Sequence, residues 1–199
     1  MSSLRFLALS TLAMLLAACA DASTRSPSAS TAPSLAERAQ AVSDAPEGDG
    51  TRGDARVVRM RDECDPATFD AALHDPNACS GNGHITFDHF VAELTKTEEA
   101  PQWRFDPGVV ELDPHRSLLA VNRGGEVHTF TRVAKFGGGI VPFLNNLSGN
   151  PVAAPECLTL EGDDFVAPGG TYTAELSTDQ LQHFQCCIHP WMRADVRMR

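Results

Sequence analysis

A chain of 199 residues, 42% of them apolar, has enough material for one domain of ordinary size beside a non-core N-terminal stretch. Its formal charge of −10 excludes the Lys/Arg-rich face that binds nucleic acid by displacing counterions, so no nucleic-acid partner is expected. An acidic surface suits basic partners and equally serves solubility alone.

Residues 1–5 carry a positive charge, and residues 6–18 form an apolar run shorter than the roughly 20 residues a membrane-spanning helix needs. The run closes on Leu16-Ala17-Ala18-Cys19, which reads as a lipobox. The expectation is a lipoprotein signal peptide over 1–18, cleavage before Cys19 and acylation of its thiol; the alternative is an ordinary signal peptide with an incidental cysteine. Lipidation would make a bacterial membrane a partner through the anchor, on a periplasmic or cell-surface face, without spanning it. Residues 19–55 are rich in Ala, Ser, Thr, Pro, Asp and Gly and offer little apolar surface to offset the entropy of ordering, so they are expected to be a disordered tether.

Residues 56–102 read as a short helical appendage. Asp65-Pro66 has the grammar of a helix start, an N-cap followed by proline at the first turn, with Phe69, Ala72 and Leu73 on one face. A second helix begins near Thr86, where Phe87, Phe90, Val91 and Leu94 follow at i, i+3, i+4 and i+7 and the pattern ends before Pro101. His74, His84 and His89 share no i, i+4 face and are read as solvated surface residues rather than a metal site.

After Trp103 the pattern changes to short strands, expected over 109–112, 117–122, 126–131, 159–166, 171–176, 183–188 and 194–198. Asp113-Pro114, Arg123-Gly124-Gly125, Pro168-Gly169-Gly170 and Asp179-Gln180 supply the turns, which together predict an antiparallel β-sandwich. Residues 136–155 form a long interruption. Gly137-Gly138-Gly139 within it lacks the Lys-Ser/Thr and the helix pattern of a phosphate-binding loop.

The segment QCCIHPWM holds Cys186, His189 and Met192 at Cys-x2-His-x2-Met spacing in one tight loop. Each residue alone is commonly a core, disulfide or surface residue. A thiolate, an imidazole and a thioether together suit a soft cation, and with one further imidazole they make the two-His, one-Cys, weak-Met set of electron-transfer copper. His128, in GGEVHTFT, is the candidate for that second imidazole.

Residues 103–199 resemble the cupredoxins, the plastocyanin, azurin and amicyanin class of blue copper proteins. LLAVNRGGEVHTF is similar to the family's strand, turn and first ligand histidine; FVAPGGTYTAEL to its Pro-Gly turn and following strand; FQCCIHPWMRADVRM to its ligand loop and closing strand, most nearly the short loop of amicyanin. The resemblance implies a mainly β, Greek-key antiparallel sandwich holding one type 1 copper, with His128, Cys186 and His189 as in-plane ligands and Met192 as the weak axial one. It also implies single-electron exchange with redox protein partners and no enzymatic activity, and it places the edge of the loop histidine in an apolar surface patch. Pro190, Trp191, Ile140, Val141 and Phe143 suit either such a patch or the core. Three departures stand out: Thr129 where the family often has Asn, Cys187 where Ser or Thr is common, and the extra residues 56–102.

Of six cysteines, setting aside Cys19 for lipid and Cys186 for copper leaves Cys64, Cys79, Cys157 and Cys187, an even number for an oxidising compartment. Cys64 with Cys79 would staple the appendage, and Cys157 with Cys187 would tie the long loop to the ligand strand, because neighbouring strand residues face opposite ways. Four cysteines allow three pairings, and a competing assignment makes Cys187 the ligand. The rival to an electron carrier is a lipoprotein that sequesters or delivers copper as cargo.

Overall fold

The structure, a computed structural model, describes residues 55–199. The expected signal peptide, Cys19 and all but the last residue of the expected tether lie outside the described residues. Strands β1 (Ala55–Arg61), β2 (Arg104–Asp106), β3 (Val109–Leu112), β4 (Ser117–Asn122), β5 (His128–Thr129), β6 (Thr131–Val133), β7 (Phe165–Val166), β8 (Thr171–Ala174), β9 (Leu181–Gln185) and β10 (Arg193–Met198) alternate with three helices, α1 (Pro66–Leu73), α2 (Phe87–Thr97) and α3 (Pro142–Leu147).

Two four-stranded sheets result, in the orders β2-β1-β4-β8 and β3-β10-β9-β6, with β5 and β7 pairing separately. Side-chain alternation turns Val58, Met60, Leu118 and Ala120 of the first sheet and Val110, Leu112, Phe184, Ala194 and Val196 of the second into one buried cluster. Phe130 bridges the sheets: its ring stacks on Phe184 at 4.6 Å between centroids and meets Phe105 edge-on at 5.0 Å. The expected mainly β sandwich is therefore present, but its sheets are mixed rather than purely antiparallel. β1 runs parallel to β4 and β3 parallel to β10, while the remaining pairs are antiparallel.

The expected helical appendage over 56–102 is corrected in one respect, since it opens with a strand of the first sheet. β1 lies inside a sheet, hydrogen-bonded to β2 on one side and to β4 on the other. Only two inward positions, Val58 and Met60, carry its alternation, too few for a strand signal against the surrounding charges. The two helices start where their caps predict: Asp65 accepts the Thr68 N–H at 3.0 Å, and Thr86 accepts the His89 N–H at 3.3 Å. Their apolar faces meet the domain through Phe69, Phe90 and Leu94, all buried, and the Phe69 and Phe90 rings pack on Trp103 at 5.7 and 4.6 Å.

The strand expected over 159–166 is also corrected, because only Phe165–Val166 is extended. The preceding Gly162–Asp164 forms a single 3-10 turn in which Asp164 caps the Glu161 N–H at 2.8 Å, so the local polar side chains outcompete a ladder. The long interruption over 136–155 holds α3 and is braced by Asn145, which accepts the Gly139 N–H at 2.6 Å and donates to the Gly139 carbonyl at 2.8 Å. Gly139 is required there, since a Cβ would collide with the carbonyl of Cys187.

Candidate metal centre

Two separated chain segments build the site. The first is the turn after β4, held by Asn122. Its buried amide donates to the carbonyls of Glu126 and Val166 at 2.7 and 2.8 Å and accepts the Gly124 N–H at 2.9 Å. This fixes where the chain enters β5, and His128 is the first residue of that strand. The second is the loop between β9 and β10. It closes on itself through Met192 N–H to the His189 carbonyl at 2.9 Å and Cys186 N–H to the Met192 carbonyl at 3.0 Å. Arg193 clamps it further, donating to the Pro190 carbonyl and to Asn150.

These segments bring His128, Cys186 and His189 together, with one ligand atom from each lying within 4.8 Å of the other two. Both imidazoles turn Nδ1 toward the Cys186 sulfur, each at 3.8 Å. His128 and Cys186 are fully buried and His189 is 2% exposed. Bonds of about 2.0 Å to nitrogen and about 2.3 Å to sulfur, opened to a trigonal angle of about 120°, subtend about 3.7 Å between the donors, whereas a tetrahedral angle gives about 3.5 Å. The donor set thus fits a small soft cation in a trigonal arrangement. Met192 is completely buried in the same loop.

Cys186 is the free cysteine among the described residues. Cys64 is bonded to Cys79 and Cys157 to Cys187, so the Cys187 sulfur is committed elsewhere. A second grouping of possible donors, Asp62, Cys64 and Glu126, has its sulfur in a disulfide and no thiolate to offer. His74, His84 and His89 are exposed; His84 faces Glu63 and His89 faces Glu93.

Thr129 ties the two chain segments together. Its hydroxyl accepts the Cys187 N–H at 2.8 Å, and its own N–H points at the Cys186 sulfur at 3.4 Å. One residue therefore joins the two ligand segments and donates to the thiolate. Replacing Thr129 with Val leaves a buried N–H without its acceptor, and the metal-free chain should lose about 1–3 kcal/mol in denaturant unfolding. Unchanged stability would remove this tie from the account.

Sequence reasoning missed two buried carboxylates behind the histidines. Asp62 accepts from Nε2 of His128 at 2.8 Å. Glu126 lies 3.7 Å from Nε2 of His189, an ion-pair distance longer than a hydrogen bond, and accepts from the Trp103 indole N–H. Glu126 carried a signal, since it stands two residues before His128 in an expected strand and so shares its face. Asp62 carried none, being 66 residues from its partner.

Burial alone would raise the Asp62 carboxyl, but the bond to His128, the charge on that ring and the N–H groups of Gly125 and Glu126 together hold it at about 2. Burial disfavours a charged His128, yet its bonds to Asp62 and Cys186 and their negative charges outweigh this and push the ring up to about 10. The Cys186 thiol, raised by burial, is carried well below the ordinary thiol range by the bonds and charges of His128 and His189. Burial pushes Glu126 up, against the opposing pull of His189. The site so arranged favours the thiolate, the form of cysteine that ligates metals.

The loop histidine does not reach solvent, contrary to what the resemblance implies. Its ring is covered by Trp191 at 5.4 Å and Phe90 at 6.5 Å, and the Trp191 indole is pinned to the Ala100 carbonyl. Phe90 of α2 and Trp191 thus cover the edge that was expected to be open. Of the suggested patch, Pro190 is buried and Trp191 and Val141 are half-buried, while Ile140 and Phe143 are exposed at 39% and 52%.

No protein-family model matches the chain, and no curated protein matches it. Solved structures do. A purple cupredoxin from Nitrosopumilus maritimus is 11% identical, covering 72% of this chain and 98% of its own, with a TM-score of 0.38. Oxidised plastocyanin from Dryopteris crassirhizoma is 13% identical over 72% of this chain and 100% of its own, with a TM-score of 0.37. A reduced amicyanin variant is 17% identical over 48% and 73%, with a TM-score of 0.33. The described residues form two main sheets around one core, with a His-Cys-His cluster carried by β5 and the β9–β10 loop.

Proposed function

We propose that this is a type 1 copper protein carrying single electrons between redox proteins, in which His128, Cys186, His189 and Met192 would hold the metal. The observation that carries the reading is the convergence of two Nδ1 atoms on one buried thiolate at equal distances of 3.8 Å. Bound copper would supply a one-electron couple between Cu(I) and Cu(II). The chain supplies the rest. Thiolate and imidazole are a compromise between the preferences of the two oxidation states. Placing His128 on a strand and the other donors in a loop closed by its own hydrogen bonds keeps them from rearranging.

Burial also separates the carrier from the cargo reading. Cargo must be handed to a recipient's ligands, and donors that are 0 to 2% exposed offer no entry for them. Electrons need only a short path. With His189 covered, the route outward crosses Trp191, whose ring lies edge-on to the imidazole and is itself half-buried.

The extracytoplasmic site of action and the Cys19 anchor are part of the proposal and rest on residues 1–19. The two disulfides accord with an oxidising compartment. Adding Cu(II) to the purified full chain should give an intense visible thiolate charge-transfer band at one copper per chain and a reversible one-electron couple. Absence of the band would end the copper reading. A band with ready loss of copper to a recipient protein would favour cargo.

A further inference from the structure

We infer that Asp62 is a positioning residue for the metal centre: it keeps the proton of His128 on Nε2, commits Nδ1 to the metal, and lowers the reduction potential by lodging a negative charge behind that ligand. The orientation and proton placement follow from contacts on the chain itself, and the effect on potential rests on the copper reading.

A carboxylate can only accept, so the 2.8 Å contact between Asp62 Oδ2 and His128 Nε2 requires a hydrogen on Nε2. With that nitrogen occupied, Nδ1 is the atom left to donate a lone pair, and it is the atom that faces Cys186. Ligating histidines take their ring orientation from the partner of their other nitrogen. Here that partner is itself held. Asp62 Oδ1 accepts the Gly125 N–H at 2.9 Å and the Cys64 N–H at 3.4 Å, and Oδ2 accepts the Glu126 N–H at 3.1 Å. Three backbone donors fix the carboxylate in the plane the imidazole must adopt. Gly124 and Gly125 make the approach possible, since a Cβ on Gly124 would strike the carboxylate and one on Gly125 would meet the Cys64 sulfur at 2.8 Å.

The charge has a direct consequence. Asp62 and His128 are both fully buried at their side chains, at 1% and 0% exposure, where an anion is poorly screened. An anion one imidazole away from the metal stabilises the more positive oxidation state. It therefore favours Cu(II) over Cu(I) and moves the couple downward. The residue comes from the segment that precedes the sandwich strands of the ligands, so that segment both covers the site and sets its electrostatics.

The test uses the full chain and two readouts. In wild-type protein, metal-free and Cu(I)-loaded, a one-bond 15N–1H correlation from Nε2 of His128 should persist, with slow exchange of that proton; its absence in both forms overturns the inference without reference to copper. In Asp62→Asn loaded with copper, the reduction potential should rise by a tenfold or larger change in the Cu(II)-to-Cu(I) affinity ratio, about 59 mV or more for one electron. An unchanged potential in a folded variant that keeps its visible band overturns the electrostatic part. Should that variant fail to fold, the wild-type proton measurement still decides. A wild-type chain with no copper band but an intact Nε2 proton would sink the copper reading and leave the positioning role standing.

Discussion

Cys186→Ser should abolish the intense visible absorption of the copper-loaded chain and weaken copper binding by well over the roughly 100-fold that loss of a supporting group costs. The thiolate is the softest donor in the set and the origin of the charge-transfer band, and serine at this position is a neutral hydroxyl. The paired variant Cys157→Ser with Cys187→Ser should keep the band, because the Cys187 sulfur is joined to Cys157 and faces away from the cluster. That pair closes a loop with a sequence separation of 30, so its removal should instead cost about 3–4 kcal/mol of stability. Visible spectra and chelator competition on the two proteins separate the roles. A band that survives in Cys186→Ser and vanishes in the paired variant would transfer the ligand role to Cys187.

Why the ligand loop was legible and its surroundings were not has a physical explanation. Cys186, His189 and Met192 lie within one turn of chain, so their spacing alone constrains where their donors point. His128 could be joined to them through the resemblance of LLAVNRGGEVHTF to a family segment, although the pairing itself is 58 residues distant. Thr129 stood out only as a departure from the resembled pattern. The structure shows the hydroxyl close enough to accept the Cys187 N–H, and only three-dimensional register reveals that.

Long-range partners carried no such signal. Asp62 sits in the acidic run Arg61, Asp62, Glu63, Cys64, Asp65, which reads as a solvated surface, yet its side chain is 1% exposed. Charged residues are almost never fully buried unless paired, and sequence does not reveal the pair. Phe90 and Leu94 were legible as one helical face, but what that face covers was not. Helix amphipathicity predicts that a face is buried and is silent on its partner. Here the partner includes Trp103 and the loop that carries His189, so Phe90 of α2 covers one side of that ring.

A fragment of residues 103–199, the span that resembles the cupredoxins, should not fold on its own. Its first sheet would lose β1, leaving β2 and β4 without the strand between them. Val58, Met60, Phe69, Phe90 and Leu94 are each at most 2% exposed in the intact chain and would all be removed from the core. Full burial of such a side chain contributes roughly 1.5–3 kcal/mol, so the five together contribute about 8–15 kcal/mol. A whole domain is stable by about 5–15 kcal/mol, and the loss is of the same size. Trp103 would also be stripped of the Phe69 and Phe90 rings, and His128 of the carboxylate that orients it. Circular dichroism of the fragment should show no cooperative thermal transition where the full chain has one, and copper should not restore the visible band. A sharp transition and a band in the fragment would make residues 55–102 a dispensable addition. The site would then owe its geometry to the ligand strands alone, and the contacts of Asp62 and Phe90 would be incidental to it.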